Sequence, residues 1–364
     1  MREEKKKDQG KLDCWLLFLV LFFVVFGLVL LYSTSAYNGR VKFHDPAYYF
    51  KKQLFAAALG GGVLYLVSRM DYHRIARFSP GFYLLSLLLS LAVLFVGKEI
   101  NGSKRWLSLG PLSFQPAEFA KVAVILLLAW YVSGRAKDTE NFRFMCRVLL
   151  LILPIVGLVG TNNLSTAIII LGIGVMSIFV SHPRYLPFVG MGGAGIAFIA
   201  IFLSMESYRL ERLAVWRDPE AYEKGFQTIQ GLYAIGSGGL FGRGLGSSMQ
   251  KLGFVPEAQN DMIFSIICEE LGLVGALILM GAFGLLLWRL MVLSIHAPDL
   301  LGSLICGGIM GHMAMQVILN IAVVTNTIPN TGITLPFISY GGTSVLFLMA
   351  EMGLALSVGR QEKG

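Results

Sequence analysis

The sequence predicts an all-α integral membrane protein: a single polytopic domain, residues 1–364, of about ten transmembrane helices. Two observations support this prediction. The chain is 55% hydrophobic and only 14% charged, and its mean hydropathy is +0.68, far above that of ordinary soluble domains. In addition, runs of apolar residues long enough to cross about 30 Å of hydrocarbon recur along the whole chain.

The first predicted helix follows a short basic tail, residues 1–13, which contains three consecutive lysines. An unbroken apolar run then extends from Trp15 to Leu31. A cleaved signal peptide is the alternative, because a basic start and the small residues at 33–36 are both present. The apolar run exceeds the usual length of a signal core, which favours a retained membrane helix.

Further apolar runs supply the remaining predicted spans, at 53–70, 79–97, 117–135, 145–160, 164–181, 186–205, 262–290, 300–324 and 336–358. Basic residues concentrate in alternate connections, including Arg69, Arg135, Arg289 and Arg360. Basic connections face the cytoplasm in most membrane proteins, so these connections and both termini are predicted to be cytoplasmic. The large connection 206–261, between helices 7 and 8, is then extracytoplasmic.

Charge and cysteine content exclude other classes of protein. The formal net charge of +8 could suggest nucleic-acid binding, but most basic residues lie in short connections, where they set membrane orientation. The four cysteines lie in or beside apolar runs, without CxxC spacing. Neither a nucleic-acid partner, nor a disulfide framework, nor a zinc site is therefore expected.

The stretch 225–275 is polar and rich in glycine, although apolar helices flank it. It is too apolar and too weakly charged to be disordered, so a functional segment is favoured. The glycine density suits tight turns rather than a packed helix interior; these glycines are Gly231, Gly236, Gly238, Gly239, Gly242, Gly244 and Gly246. Their spacing does not match a dinucleotide-binding fingerprint.

Asp261, at the end of this stretch, admits two interpretations. Either Asn260 or Asp261 could cap a helix beginning at Met262. A carboxylate at a membrane–water boundary could equally serve as a catalytic base, and the residues alone leave both interpretations open. Glu269 and Glu270 lie deeper in the same run, so at least one is expected to meet a basic or hydrogen-bonding partner.

A second polar segment, 102–121, is predicted on the same side of the membrane. Glu118 and Lys121 lie three residues apart on one helix face. An interfacial ion pair with a snorkelling lysine is the simpler interpretation, but ionisable residues within a span usually face a cavity or partner, which favours function. Lys104 and Arg105 precede Trp106, so contacts with lipid headgroups and with substrate are equally supported.

Basic residues also open the large connection, with acidic residues between them: Arg209, Arg212 and Arg217. A solvated face with surface ion pairs is the favoured interpretation.

Several motifs resemble signatures of the SEDS family, the shape, elongation, division and sporulation proteins of bacteria. They are GSKRWLSLG, FQPAEFAK, AIGSGGLFGRGLGSSMQK, FVPEAQNDMIFSIICEELG and TGITLPFISYGGTS. The resemblance runs from the first helix to the last. The GLGSSMQK segment is more similar to the division and sporulation (FtsW/SpoVE-like) branch than to the rod-elongation (RodA) branch.

The resemblance implies a peptidoglycan glycosyltransferase that polymerises lipid II into glycan strands at the outer face of the bacterial cytoplasmic membrane. It also implies a class B penicillin-binding transpeptidase as partner, other divisome or elongasome membrane proteins, and surrounding membrane lipids. The alternatives are a lipid II flippase, whose charges would lie near the bilayer midplane, and a non-catalytic divisome scaffold.

By resemblance, Asp261 matches the family's essential carboxylate. Glu118 and Lys121 match its QP.EFAK pair, and Arg105 matches the arginine of its RW motif. The other expected substrate contacts are Lys104, Arg209, Gln115, Lys251 and Ser339. A sugar hydroxyl must attack an anomeric carbon that carries a lipid pyrophosphate. This chemistry needs a base and positive charge, the latter from side chains or from Mg²⁺ or Mn²⁺ oriented by Asp261.

Two positions depart from the family pattern. Asn163 stands where the family often has aspartate, so no acid role is carried over to it. Asn260 replaces the common threonine before the catalytic aspartate.

Overall fold

The computed structural model describes residues 12–100, 103–109, 112–182 and 207–361, with three isolated positions between 183 and 206. Helices dominate this part of the chain. Most of the predicted span 186–205 lies outside the described residues, and so does most of the basic tail. The count of ten spans therefore stays a prediction.

The main helices are α1 (Cys14–Phe43), α2 (Tyr48–Arg69), α3 (Tyr72–Arg77), α4 (Ser79–Val96), α5 (Pro116–Ser133), α6 (Phe142–Asn162), α7 (Leu164–Ser181), α8 (Ser207–Arg217), α9 (Phe226–Gly238), α10 (Ile263–Ile295), α11 (Leu300–Val324) and α12 (Gly342–Gly359). Among the described residues, eight helices are long and apolar enough to cross a membrane: α1, α4, α5, α6, α7, α10, α11 and α12. The prediction of a helical, multi-pass membrane protein is confirmed. The 22-residue α2 has a comparable length but begins with exposed lysines, and it packs along α12.

Helix α5 forms the centre of the bundle. It packs against α4, α7, α11 and α12, and most of its residues are buried on every face. A helix that is apolar all round is stable only where neighbours cover it completely. By contrast, α1, α4 and α10 expose leucine and phenylalanine side chains along their outer faces. The central position of α5 brings Glu118 and Lys121 into the interior of the protein.

A small antiparallel sheet covers one end of the bundle, where the sequence predicts only an outer connection. Its strands are β1 (Lys98–Ile100), β2 (Ser103–Leu109) and β3 (Leu112–Phe114), in the order β1-β2-β3. In the register, Lys98 pairs with Trp106, and Leu107 pairs with Phe114. The sheet gives Arg105, in β2, a fixed backbone beside the ends of α4 and α6.

Helix α10 is broken at Gly272, whose φ of 69° and ψ of −171° are not helical. The freed backbone groups pair with the glycine-rich segment. Arg243 N donates to Glu269 O (2.9 Å), and Leu273 N donates to Gly239 O (2.9 Å); Gly244 N and Val274 N make two similar bonds. The predicted span at 262–290 is present as α10, and the break within it is a feature that the sequence pattern does not indicate. Such a break is tolerated at membrane depth only when other protein groups satisfy the backbone, as they do here.

The glycines of this region have two different structural roles. Gly242, Gly244 and Gly246 have positive φ angles, as expected for turns. Gly231 and Gly238 instead lie inside α9, where the turn prediction is wrong. A Cβ at Gly238 would lie 1.9 Å from the Cys268 carbonyl oxygen, so the missing side chain lets α9 pack closely against α10. Gly236 is likewise helical.

Candidate functional site

Asp261 lies two residues before the start of α10 and is 9% exposed. The helix begins at Ile263 with Met262 in the N-cap position, and no side chain caps it. The capping interpretation of Asn260 or Asp261 is therefore wrong. Within the described chain, the hydrogen bond to the Asp261 carboxylate comes from Gln227 Nε2, in α9, at 3.4 Å.

Two arginines from distant parts of the chain favour the charged form of Asp261, namely Arg105 and Arg212. Asp261 and Arg105 converge on Gly332. A Cβ placed there would lie 3.7 Å from Asp261 Oδ2 and 3.8 Å from an Arg105 guanidinium nitrogen. The backbone holds both arginines in place, because Arg105 Nε donates to Asn162 O (2.8 Å) and an Arg212 guanidinium nitrogen donates to Asn330 O (2.9 Å).

The environment of Asp261 suits a base that works near neutral pH. Burial raises the pKa of Asp261 to about 7. A backbone hydrogen bond opposes this shift, Glu257 adds to it, and Arg212 and Arg105 oppose it. A general base is most effective when its pKa lies near the working pH, and perturbed carboxylates in clefts are candidates for function.

Three polar side chains on α11 form a ladder at four-residue spacing: His312, Gln316 and Asn320. All three are buried. Asn320 Nδ2 donates to Asp261 O (2.9 Å) and to Ile333 O (2.7 Å). It thus joins the backbone that carries the candidate base to the segment that contains Gly332.

Lys121 is bonded to the middle of this ladder. Its Nζ lies 3.0 Å from Glu118 Oε1 and 3.0 Å from Gln316 Oε1. The side chain of Lys121 is 2% exposed and that of Glu118 is 8% exposed. The ion pair therefore exists, but deep among helices rather than as a snorkelling pair at the interface.

The ladder continues to Glu351 on α12. Gln316 Nε2 donates to Thr334 O (3.1 Å), which orients the amide so that its oxygen faces Lys121 and His312. His312 therefore donates to Gln316 Oε1 from Nε2 (2.8 Å). Its Nδ1 lies 2.8 Å from Glu351 Oε2, within hydrogen-bond distance. Four ionisable groups and one amide thus form a continuous buried network.

Glu269 and Glu270 belong to a separate cluster beside the break in α10. Glu269 accepts hydrogen bonds from Ser248 Oγ and from Met249 N (3.1 Å). Glu270 Oε1 lies 2.6 Å from Lys251 Nζ, which also donates to Ser33 Oγ at 2.8 Å. The expectation of a basic or hydrogen-bonding partner for this acidic pair is confirmed.

Residues 14–364 match the protein-family model described as FtsW/RodA/SpoVE, cell cycle protein. The chain belongs to this family. Its relatives include stage V sporulation protein E of Bacillus subtilis, 38% identical over 360 residues, with 96% of this chain and 98% of the relative covered. They also include the probable peptidoglycan glycosyltransferase FtsW of Trichlorobacter lovleyi, 33% identical over 355 residues, with 95% and 92% covered.

Solved structures of the family agree with the fold. One chain, from work on "structural coordination of polymerization and crosslinking by a peptidoglycan synthase complex", has a TM-score of 0.81 at 33% identity, with 96% of this chain and 98% of that chain covered. The rod shape determining protein RodA of Thermus thermophilus has a TM-score of 0.73 at 32% identity, with 97% and 98% covered. The predicted SEDS membership and helical membrane fold are confirmed.

The remaining predicted site residues lie in several places. Gln115 lines a small cavity together with Lys104, Arg105 and Asn162. Lys251 lies in the ion pair with Glu270 described above. Ser339 supports a turn, because Leu335 N donates to its Oγ at 2.8 Å. Arg209 is in α8, but its side chain lies outside the described residues.

Asn163, the position that departs from the family pattern, caps α7. Its side-chain oxygen accepts a hydrogen bond from Thr166 N at 3.2 Å. Asparagine and aspartate cap helices about equally well. The substitution therefore preserves the local structure.

A divalent cation would find few ligands from the protein at this site. Among the described residues, no group of three or more His, Cys, Asp or Glu side chains lies together. Asp261 alone is a single carboxylate. Mg²⁺ is commonly held by one or two carboxylates together with substrate phosphates, so this donor set fits a cation that is shared with a phosphorylated substrate.

Sequence reasoning missed several residues that complete the site. The sequence favours a solvated face for Arg212, and its predicted site residues do not include Gln227, Asn320, Gln316 and His312. For the α11 ladder a signal did exist, because its three polar residues recur at i, i+4 and i+8 within an apolar run, which marks one polar face of a buried helix.

Proposed function

We propose that the chain is a peptidoglycan glycosyltransferase that polymerises lipid II at the outer face of the bacterial cytoplasmic membrane, in cell division or sporulation. One observation carries the proposal: a buried carboxylate with a pKa of about 7 lies beside two arginines held by the backbone. The names of the FtsW relatives support the same activity.

In this reaction Asp261 accepts the proton of the attacking sugar hydroxyl. The hydroxyl oxygen forms a bond to the anomeric carbon of the second substrate while the bond from that carbon to the pyrophosphate oxygen breaks. Arg105 and Arg212 stabilise the negative charge that develops on the departing pyrophosphate, as preorganised guanidinium groups do in other sites. No acid is needed for a leaving group that is already stable as an anion.

Glu118 and Lys121 are proposed to support the same site through Gln316 and the 333–334 backbone. Lys104 and Gln115 line the neighbouring cavity and are proposed to contact the sugar or the pyrophosphate. Mg²⁺ or Mn²⁺, oriented by Asp261, would add positive charge at the pyrophosphate.

The proposed orientation places the Asp261 end of the bundle outside the cell and both termini inside. Basic residues near the opposite end, including Arg69 and Arg360, support it. We further propose a class B penicillin-binding transpeptidase as partner, because a related chain belongs to a peptidoglycan synthase complex.

A lipid II flippase remains the second candidate, since two observations favour transport: the broken helix α10 and the buried charges of the α11 ladder. Purified protein in vesicles with fluorescent lipid II separates the candidates. Polymer formation supports the glycosyltransferase. Translocation without polymer supports the flippase. If the protein shows neither activity, whether or not the transpeptidase is present, the result supports a scaffold.

A further inference from the structure

A second cavity lies far from Asp261, where α1 begins and where α2 and α12 end. Its volume is about 400 Å³. Helix α12 connects the two regions: it starts near Tyr340, whose N donates to Gln259 O (2.9 Å), and ends at Gly359 beside the cavity. At 1.5 Å per residue its 18 residues span about 27 Å. The cavity is thus separate from the site described above.

The walls of this cavity are apolar and its polar groups are basic. Leucine, valine, methionine and tyrosine side chains of α1, α2 and α12 form most of the lining. Arg69, in the last turn of α2, and Arg360, which follows α12, complete it together with Ser68. A ligand that matches both features has a long apolar chain and an anionic group at one end.

The charges around the cavity favour a phosphate. Two described acidic side chains at this end of the bundle have partners outside the cavity: Asp13 lies 2.7 Å from Arg289, and Asp299 accepts hydrogen bonds from Tyr72 (3.0 Å) and Gly302 N (2.8 Å). The Arg69 guanidinium lies over the Tyr65 ring, 5.1 Å from its centroid, which places its charge at the cavity wall. Guanidinium groups match phosphate oxygens in a forked geometry. The apolar walls favour an acyl chain over a small ion alone, because unfilled apolar space forfeits packing energy that an acyl chain restores.

We propose that this cavity is a binding site for an anionic glycerophospholipid of the adjacent leaflet. One acyl chain fills the space between α1, α2 and α12, and the headgroup phosphate contacts Arg69 and Arg360. The proposal concerns a different region from the glycosyltransferase site and does not depend on that function.

Two neighbouring glycines in α2 provide a matched test. Gly61 lines the cavity and Gly62 does not, and at both positions an added Cβ would meet no atom within 4 Å. Gly61→Leu therefore adds apolar volume inside the cavity with no clash at its Cβ, while Gly62→Leu adds the same side chain on the exposed face. Both changes replace a poor helix former with a good one, so both variants are expected to fold.

The measurement is binding of phosphatidylglycerol and phosphatidylcholine to the purified full-length chain, by native mass spectrometry and by thermal stabilisation in detergent. We expect wild type and Gly62→Leu to bind phosphatidylglycerol in preference to phosphatidylcholine, and Gly61→Leu to bind it about tenfold or more weakly. Glycerol phosphate, which has the headgroup charge but no acyl chain, should not bind.

A charge variant tests the headgroup contact independently. Arg69→Gln combined with Arg360→Gln should abolish the preference for phosphatidylglycerol, whereas Arg74→Gln combined with Arg77→Gln, at exposed positions that do not line the cavity, should preserve it. Equal binding of both lipids by wild type, or unchanged phosphatidylglycerol binding in Gly61→Leu, would overturn the proposal.

Discussion

Two groups of buried acids lie close together in the sequence, yet the fold treats them in opposite ways. Glu269 and Glu270 are completely buried, and donors from residues 248–251 reach both, although Glu270 Oε2 itself has no hydrogen-bond partner in the described part of the chain. Asp261 precedes them by only eight residues, but the hydrogen bond that reaches its carboxylate within the described chain is long, at 3.4 Å. The arginines that influence it are anchored to backbone carbonyls instead.

This difference distinguishes the structural acids Glu269 and Glu270 from Asp261, the proposed base. A buried carboxylate that receives hydrogen bonds and a paired charge from its own chain stabilises that chain, because these interactions compensate its desolvation. A carboxylate that is desolvated without such compensation has a raised pKa and is available to a substrate. The glutamates fix the break in α10, whereas Asp261 is the residue that we propose to act in the chemistry.

The largest expected effect comes from breaking the buried cluster of Glu269, Glu270 and Lys251. Lys251→Ala leaves Glu270 buried without its cation, which typically costs about 3–5 kcal/mol of stability. We expect a large loss of thermal stability and of expression, measured by unfolding in detergent. Lys224→Ala breaks an ion pair with Glu211 that is largely exposed and serves as the control. If both variants unfold at the same temperature, the structural role of the Glu270 cluster is contradicted.

The next effect concerns Glu118 and Lys121. Exchanging the two, Glu118→Lys with Lys121→Glu, should not restore polymerisation, because a carboxylate at position 121 would face Gln316 Oε1, which is also a hydrogen-bond acceptor. The amide of Gln316 is held in this orientation because its Nε2 donates to Thr334 O. Each single change and the exchange should therefore lose most activity in a lipid II polymerisation assay. An exchanged variant with near wild-type activity would show that the two residues form only a simple ion pair.

A smaller effect is expected from the α11 ladder. Asn320→Ala removes both bonds that hold the backbone of Asp261 against Ile333. Misplacement of a catalytic group by about 1 Å can cost about 10²-fold in rate, so kcat should fall by up to that factor while the pH midpoint stays unchanged. Asn326→Gly removes a long 3.5 Å contact to Trp216 O, fits the positive φ of 55° at this position, and should leave kcat near wild type. Equal kcat values for the two variants would argue against a positioning role for Asn320.

The smallest effect is a shift in pH dependence. The Asp261 base must be ionised, and its pKa is raised to about 7, so kcat/KM should rise about tenfold per pH unit below pH 7 and level off above it. Glu257 contributes to that raised pKa. Glu257→Gln removes a neighbouring negative charge and should move the midpoint to lower pH. A wild-type profile that is flat between pH 5 and 8 would exclude a base with this pKa.

The sequence predicts the elements of this molecule that depend on local patterns. Long apolar runs mark the spans, and Glu118 with Lys121 is visible because two opposite charges within a span are costly. The glycine-rich composition predicts turns, and Gly242, Gly244 and Gly246 do adopt positive φ angles.

What the sequence does not predict depends on contacts between distant segments. Gly272 lies within an apolar run, and its break is stable only because residues 239–244 supply the missing hydrogen bonds. Arg212 reaches the site by bonding Asn330 O, 118 residues away. The local sequence leaves a helix cap and a base equally open for Asp261, and only the structure shows that α10 starts after Met262 without a side-chain cap.

The most direct test of the central claim compares Asp261→Asn with Asp261→Ala in lipid II polymerisation and thermal unfolding. An asparagine oxygen can still accept the bond from Gln227. The raised pKa of Asp261 means that its contribution to stability is full below its unfolded pKa and is lost as pH rises through about 7. At pH 8 the asparagine variant should therefore be at least as stable as wild type.

We predict that both variants make no glycan polymer, because neither an amide nor a methyl group can accept the proton of the attacking hydroxyl. A well-folded Asp261→Asn protein that polymerises lipid II at the wild-type rate would contradict the assignment of Asp261 as the base.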